Sequence, residues 1–436
     1  MRFFFTLMVI VMTTAGCGNN EPVAKPAKPE ASAPAGNEVR ILLANHSEED
    51  WNQWRGPLRN GISGEGNILT EWGPQGPPVL WRQNLGAGFS GISVVDNSVY
   101  TMYGNAGNDY LVALDAGSGA KRWELKIGEK YRDRMGGDGP RSTPTVIDGR
   151  VYVVSAQGKL FAVDAANGKV LWQRDFVAEY GAQIPRWGFS TSVLVYQGKV
   201  YAEVGGSGKG FAAFDAQTGE VRWMTQNDQP AYSSPILAVI DEIPQIIFFA
   251  TSGLVALNPD NGERYWAAPW HTSYDVNAAT PIFIAPNQIF ISSEYDVGAA
   301  LYRVNRSTSG KFEAEQIWKN RQMKNKMATS VFLDGYLYGF DGSILKCIDA
   351  QTGEMKWRER GFGEGTLMLA GERLVVLSDD GELSIAGASP NGFTPLATAG
   401  VLSGRCWTVP TLLNGRLYLR DMNQMVCLDL RVENKS

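Results

Sequence analysis

The chain has 436 residues, 19% of them charged, and a formal net charge of −5 at pH 7. This charge is only mildly acidic, and no run or stripe of Lys and Arg appears, so the electrostatic footprint of a nucleic-acid-binding protein is absent. The only histidines are His46 and His271, and no CxxC, CxxCH, HExxH or Walker motif occurs. A His-based metal site or a conventional hydrolytic triad is therefore hard to build, and we predict no metal site.

The N-terminus has the features of an export signal. Residues 1–16 combine one basic residue, an apolar run too short to span a bilayer, and small residues before Cys17. The pattern resembles a bacterial lipoprotein signal, which implies cleavage before Cys17 and lipidation of that residue. Thr14 stands where lipoproteins prefer Leu, and an ordinary secretory signal is the alternative. Because Gly18 rather than Asp follows the cysteine, we expect a lipid anchor in the outer membrane, facing the periplasm.

The next segment is a linker. Residues 17–50 are rich in Pro, Ala, Lys and Glu, with one short apolar patch at 41–43. Such a composition is typical of an extended, disordered tether. It would space the rest of the protein from the membrane.

One phrase then recurs along the chain. Its copies are ALDAGSGAKRW at 113–123, AVDAANGKVLW at 162–172, AFDAQTGEVRW at 213–223, ALNPDNGERYW at 256–266 and CIDAQTGEMKW at 347–357. Each copy predicts a strand that ends at Asp, a tight turn in which Gly supplies a positive φ, and a second strand that runs to Trp. The aspartates Asp115, Asp164 and Asp215 are 49 and 51 residues apart, a period that fits one small antiparallel sheet per unit.

A second recurring piece, a Ser/Thr-x-Pro-like start followed by two strands, counts the units. Its eight copies begin at Phe89, Arg141, Phe189, Tyr232, Ala278, Met327, Glu364 and Trp407. The last unit stops near residue 430 without an outer strand, whereas VLWRQNL at 79–85 carries Trp81 with no phrase before it. We expect this N-terminal strand to close the ring, because closure removes exposed sheet edges.

The sequence therefore predicts an all-β protein, an eight-bladed β-propeller of four-stranded antiparallel blades over residues 79–430. Residues 51–78 are predicted to be an N-terminal extension that packs on the propeller. Seven blades is the alternative count, if the weak unit at 364–399 is an insertion. Cys347, Cys406 and Cys427 are predicted to be small buried hydrophobic residues, and three cysteines cannot all pair.

The strand starts also predict a site. In a propeller, the loops that enter the innermost strands converge on the axis, and binding residues tend to lie on such loops. We predict a collar around one mouth of the channel that binds a ligand or partner: Phe89, Arg141, Trp187, Phe189, Tyr232, His271, Asp275, Asn277, Lys326, Glu364, Arg405 and Trp407. A flat aromatic ligand or a peptide loop would suit it. The alternative is that the rings only plug the channel and the charges are solvated.

The Ala-x-Asp-x-x-x-Gly-x-x-x-Trp phrase resembles the pyrroloquinoline quinone (PQQ) repeat of quinoprotein dehydrogenases and of BamB-like outer-membrane assembly lipoproteins. The resemblance covers about 79–430, and WNQWRGPLRNGIS at 51–63 also resembles a PQQ-like family abundant in planctomycete-type bacteria. BamB-like members imply a scaffold that binds an envelope protein and uses no cofactor. The quinoproteins imply PQQ, calcium and a catalytic Asp, with oxidation of alcohols or sugars.

The chain departs from the quinoprotein pattern. It has no adjacent cysteine pair, and Asp275, Asn277, Glu364 and Trp407 match the quinone-site roles only by residue type. We therefore predict a non-catalytic, monomeric propeller without a cofactor, and keep a PQQ-dependent dehydrogenase as the alternative.

Overall fold

The computed structural model describes residues 50–432. The predicted signal peptide, Cys17 and the tether up to residue 49 lie outside the described residues. Within them, strands form eight sheets, and the helical segments are one short α-helix, α1 (Phe176–Tyr180), and one 3-10 turn (Ser273–Asp275).

Each sheet is an antiparallel blade whose strands follow one another from the axis outward. The strands of blades 1 to 4 are β3 (Ser93–Val95), β4 (Ser98–Asn105), β5 (Asn108–Asp115), β6 (Lys121–Glu129); β7 (Thr145–Ile147), β8 (Arg150–Val154), β9 (Lys159–Asp164), β10 (Val170–Asp175); β11 (Leu194–Tyr196), β12 (Lys199–Glu203), β13 (Phe211–Asp215), β14 (Val221–Thr225); and β15 (Ile236–Ile240), β16 (Ile243–Ala250), β17 (Gly253–Leu257), β18 (Arg264–Pro269).

The remaining four blades contain the strands that close the ring. They are β19 (Ile282–Ile284), β20 (Gln288–Ser293), β21 (Gly298–Arg306), β22 (Phe312–Asn320); β23 (Val331–Leu333), β24 (Tyr336–Asp341), β25 (Ile344–Asp349), β26 (Met355–Glu359); β27 (Thr366–Ala370), β28 (Arg373–Leu377), β29 (Glu382–Gly387), β30 (Pro395–Gly400); and β31 (Thr411–Leu413), β32 (Arg416–Arg420), β33 (Gln424–Asp429), β2 (Val79–Asn84). A short strand, β1 (Ile62–Ser63), adds to blade 7 in parallel with β27.

The predicted all-β, eight-bladed propeller is confirmed, with β2 as the closing strand. It pairs antiparallel with β33 and places Trp81 opposite Cys427. The seven-blade alternative is wrong, because residues 366–400 form a complete blade of four strands. At the seam, the fully buried Arg420 donates hydrogen bonds to the Met102 carbonyl and the Thr101 hydroxyl of blade 1.

Residues of the repeated phrase form a contact between neighbouring blades. The indole N–H that ends one blade donates to the carbonyl of the residue after the turn Asp, or its equivalent, in the next blade. The pairs are Trp81–Ala116 (3.0 Å), Trp123–Ala165 (2.9 Å), Trp172–Ala216 (3.1 Å), Trp223–Pro259 (3.1 Å), Trp318–Ala350 (3.0 Å) and Trp357–Ser389 (2.7 Å). We call this contact the interblade latch.

The glycine of the phrase makes room for the indole. At Gly119, Gly168, Gly219, Gly262 and Gly353, φ lies between 70° and 76°, and a Cβ would fall 2.6–2.8 Å from the tryptophan ring of the preceding blade. Two blades depart from the pattern. Trp266 donates instead to Gln245 of its own blade, and β30, which lacks a tryptophan, accepts a hydrogen bond from Trp72 at the Thr398 carbonyl.

The segment before the propeller lies on its axis. Residues 51–65 hydrogen-bond to the innermost strand of every blade or to residues flanking it, and only a segment on the axis can reach all eight. The contacts are Trp51 to Val94, Asn52 to Val146, Arg59 to Ser192, Val193 and Pro235, Trp54 to Thr280, Arg55 to Thr329 and Ser330, β1 to β27, and Glu65 to Asn414 and Gly415. We call residues 51–65 the axial plug.

Two arginines anchor the axial plug without an ion pair. Arg55 and Arg59 are 2% and 3% exposed, and their guanidinium groups donate to backbone carbonyls. Burial lowers the pKa of both to about 9. The carbonyls therefore take the place of water around two buried cations.

We predict that the latch glycines tolerate no side chain. Gly168→Ala should cost about 2–4 kcal/mol of unfolding free energy, because it adds backbone strain at φ 76° and a clash with Trp123. Gly149→Ala is the matched control: its φ is 70°, but nothing lies within 4 Å of the added Cβ, so only about 1 kcal/mol should be lost. Urea unfolding of both variants measures the difference, and equal losses would refute a steric role for the indole.

The axial plug yields a second prediction. Arg59→Met removes the donor to three buried carbonyls and should lower the unfolding free energy by about 3 kcal/mol or more. Arg82→Met is the control, since the exposed Arg82 also donates to a carbonyl, that of Val401, but water can replace it. Chemical unfolding should show a loss below about 1 kcal/mol for the control. Similar losses in the two variants would contradict the role assigned to Arg59.

Candidate functional site

Hydroxyl groups at the strand starts form part of a ring around the mouth and join four pairs of neighbouring blades. The hydroxyl that precedes an inner strand accepts a hydrogen bond from a backbone N–H of the preceding blade. The bonds run from Gly91 to Thr143 (3.1 Å), Thr143 to Ser192 (2.8 Å), Ser192 to Ser234 (2.9 Å) and Thr280 to Thr329 (2.9 Å). This is the physical role of the recurring Ser/Thr-x-Pro-like start. The residues two positions earlier lie around the mouth of the channel.

A cavity of about 310 Å³ opens at this mouth. Six of the twelve residues predicted from the sequence line it: Phe89, Arg141, Trp187, Tyr232, Lys326 and Trp407. The structure adds lining residues that the prediction did not include, among them Trp54, Met135, Ser190, Val276 and Tyr295. Trp54 belongs to the axial plug and closes the inner end of the cavity, with its N–H bonded to the Thr280 hydroxyl at 2.8 Å.

Phe189 does not line the cavity, and its assignment to the collar is corrected. Its ring is 1% exposed and packs edge-on against Phe176 at 5.7 Å. The copy that was predicted to begin at Phe189 is one residue out of register, because Ser192 supplies the ring hydroxyl and β11 begins four residues after Ser190. Ser190 therefore takes the collar position in blade 3.

Three other predicted residues lie away from the cavity lining. The Asn277 side chain is fully buried, donates to the Ala250 carbonyl and accepts from Ser293, so it braces a loop. His271 and Asp275 are exposed on the segment after β18.

Glu364 and Arg405 do not line the cavity, but each contacts a residue that does. Glu364 forms an ion pair with Lys326. Arg405 places its guanidinium 4.6 Å from the centre of the Trp407 ring. Both predicted residues therefore belong to the outer part of the mouth.

The walls of the cavity are mainly aromatic. Phe89 stacks on Trp407 with ring centres 5.1 Å apart, and Trp187 packs on Tyr232 at 5.5 Å. The indole N–H of Trp407 is buried and has no hydrogen-bond partner among the described residues. A bound molecule with an acceptor at that point would satisfy it.

The charges at the mouth are unevenly compensated. Arg141 lies between the rings of Tyr131 (4.8 Å) and Phe89 (5.7 Å), donates to two glycine carbonyls, and has its pKa lowered by burial. Burial acts on Lys326 in the same direction, but the Glu364 and Glu294 carboxylates outweigh it and raise its pKa. Within residues 50–432, Lys326 has an ion pair, whereas Arg141, Arg186 and Arg405 have none.

The sequence comparisons identify the family. The model of the family described as outer membrane protein assembly factor BamB matches residues 68–182 and 107–359. The chain belongs to the BamB family. A BamB of Moranella endobia is 24% identical over 321 residues, which cover 69% of this chain and 77% of that protein.

Solved structures share the fold. The structure of BamB from Moraxella catarrhalis superposes with a TM-score of 0.58 at 17% identity, covering 81% of this chain and 99% of that one. A quinohemoprotein alcohol dehydrogenase from Comamonas testosteroni gives a TM-score of 0.60 at 14% identity, with 92% of this chain and 84% of that chain covered. At these identities the likeness concerns the fold alone.

The residues of this BamB-family chain do not fit a PQQ–calcium site. Across residues 50–432, no three His, Cys, Asp or Glu side chains are grouped to hold a metal ion. The cysteines in this range, Cys347, Cys406 and Cys427, are buried and unpaired, and burial raises the pKa of each to about 12. The Asn277 amide already makes hydrogen bonds to protein groups.

Within residues 50–432, no helix has the length and apolar character needed to cross a bilayer.

One buried acid of blade 3 holds the loop that enters blade 4. Glu203, at the end of β12, accepts a hydrogen bond from the Ala231 N–H at 3.0 Å, next to Tyr232. Its other carboxyl oxygen has no partner, and burial raises its pKa well above the usual value. The folded state therefore binds this proton more tightly than the unfolded state does.

We predict a pH-dependent gain in stability for Glu203→Gln. Because the folded pKa is raised above about 4.5, the wild type loses stability as pH rises from there towards the folded pKa. Gln keeps the acceptor for Ala231 but cannot ionise. The variant should match the wild type near pH 4 and exceed it by at least about 1 kcal/mol at pH 8, measured by urea unfolding. A difference that stays constant between pH 4 and pH 8 would contradict the assignment.

Proposed function

We propose that this protein is a non-catalytic, membrane-tethered propeller that acts as a protein-binding scaffold in the cell envelope, in the assembly of outer-membrane proteins. The observation that carries the proposal is the match to the BamB family over residues 68–359. The alignment with the Moranella relative covers 77% of that protein. A scaffold also suits a rigid ring that presents an open, aromatic mouth.

The proposal includes export and anchoring. The signal-like residues 1–16 and Cys17 support a lipid anchor, and the names of the relatives support the outer membrane as its location. The tether would hold the propeller in the periplasm as a monomer. The partner would be another component of outer-membrane assembly, and it would bind at the mouth of the channel.

The alternative is a PQQ-dependent dehydrogenase that oxidises alcohols or sugars. The donor set at the mouth argues against it, since Glu364 is paired with Lys326 and Asn277 supports a loop. Purified protein titrated with PQQ and Ca²⁺ should show no stoichiometric quinone binding and no dye reduction with alcohols. Turnover would overturn the scaffold proposal.

Site-specific crosslinking in cells tests the docking face. We predict that a photo-crosslinking amino acid at Met135, which is 70% exposed at the rim, captures an outer-membrane assembly protein. The same group at Met355, 39% exposed on the outer strand β26, is the matched control and should not capture it. Mass spectrometry identifies the adducts. Identical adducts at both positions, or none from Met135, would contradict docking at the mouth.

A further inference from the structure

The cavity has the size and lining of a site for one aromatic side chain. Its volume of about 310 Å³ is at the lower end of the roughly 300–1,000 Å³ typical of small-molecule sites. Trp54 closes the inner end, and Phe89, Trp407 and Tyr232 form walls. A ring that entered from the mouth would meet ring faces and edges at the separations that aromatic pairs favour.

A donor in the wall requires an acceptor from outside the chain. The Trp407 N–H is buried, and no oxygen or nitrogen of residues 50–432 accepts its hydrogen bond. A buried donor without a partner costs about 1–3 kcal/mol. Because this nitrogen is not exposed in the described conformation, a carbonyl or carboxylate oxygen of a bound molecule would remove this cost only after a small shift of the Trp407 ring.

Three cations next to the cavity lining have no ion-pair partner among residues 50–432. Arg141, Arg186 and Arg405 each lie 4.6–5.7 Å from the centre of an aromatic ring, which fixes the position of the guanidinium group. Arg186 also contacts the Met135 sulfur at 3.4 Å. Of the nearby acids, Glu364 pairs with Lys326 and Asp138 with Lys130, whereas Asp133 and Asp109 act on Arg141 without forming an ion pair with it. Anionic groups therefore complement this rim.

The apolar surface continues beyond the cavity. Met135 and Tyr274 are each 70% exposed, and Tyr274 packs on the lining residue Tyr295 with ring centres 6.1 Å apart. A small molecule confined to the cavity would leave Tyr274 in water and would touch the lining residue Met135 only from the cavity side. A polypeptide segment would cover them while one of its side chains filled the cavity.

We propose that the mouth binds a peptide segment of the partner in which an aromatic side chain is flanked by acidic residues. The ring enters the cavity over Trp54, an oxygen accepts from the Trp407 N–H, and the acidic side chains pair with Arg405 and Arg141. This rests on the proposed function, because it names the chemistry of the partner at the same mouth.

Selection from a peptide library tests the chemistry directly. Full-length protein is immobilised and used to select from phage-displayed random nonapeptides, with Arg405→Gln and Trp407→Phe as comparison baits. Arg358→Gln, an exposed arginine on the outer strand β26, is the matched control bait. We expect the wild type and the control to enrich peptides with one aromatic residue next to Asp or Glu. No enrichment, or enrichment without this pattern, overturns the proposal.

The best peptide is then measured by isothermal titration with purified protein. Replacing its aromatic residue by Ala, or its acids by amides, should weaken binding at least about tenfold. Arg405→Gln and Trp407→Phe should each weaken it about fivefold, whereas Arg358→Gln leaves it unchanged. Trp407→Phe keeps an aromatic ring beside Phe89 but removes the N–H together with part of the indole, and circular dichroism verifies folding.

The test separates two possible failures. If 3-phenylpropanoate binds as tightly as the peptide, the exposed rim contributes nothing and the peptide assignment is overturned. If the aromatic and acidic pattern is absent but Met135 still crosslinks an assembly protein, the proposed function stands and this inference fails. If the peptide binds as expected and the crosslink is absent, the proposed function fails alone.

Discussion

The ring depends on an indole of one blade lying over a glycine of the next. Its N–H is bonded to the carbonyl beside that glycine's turn, so the contact combines packing and a hydrogen bond in one place. Blades of a propeller contact only their neighbours, and repetition of one good contact is therefore sufficient to build the whole frame. The turn aspartates form hydrogen bonds within their own blade. A hydrogen bond from Arg122 lowers the pKa of Asp115 to about 2, and Arg222 has the same effect on Asp215.

The interblade latch and the contacts near the axis hold neighbouring blades together at different radii. Near the periphery, tryptophans join the blades, while at the axis, hydroxyl groups and the axial plug join the inner strands. The axial plug has a further effect on the site, because Trp54 closes the inner end of the cavity. The axial plug, which precedes the first blade in the chain, therefore limits the depth of the cavity.

The sequence predicted the features that arise from repeated local patterns. The eight blades and the closing strand with Trp81 follow from turn and strand patterns that recur within each unit, and the structure has them. The position of Phe189 was wrong because Ser190, Thr191 and Ser192 offer several hydroxyls, and the sequence does not say which of them joins the ring. Trp54 was missed because it comes from outside the repeats and bonds to Thr280, 226 residues away. Met135 and Tyr295 lie on loops of individual blades, where no repeat guides an alignment.

The axial plug also decides how the ring would bear a load. The chain enters the described structure at Asp50, and Trp51 is at once paired with Val94. Tension applied from the N-terminal side reaches the plug before it reaches β2, the strand that closes the seam. The bonds of the axial plug to the inner strands, or to residues that flank them, then lie between the pull and that closing strand. An anchor attached to the outer edge of a blade would peel the sheet from its margin, whereas here the force arrives at the hub.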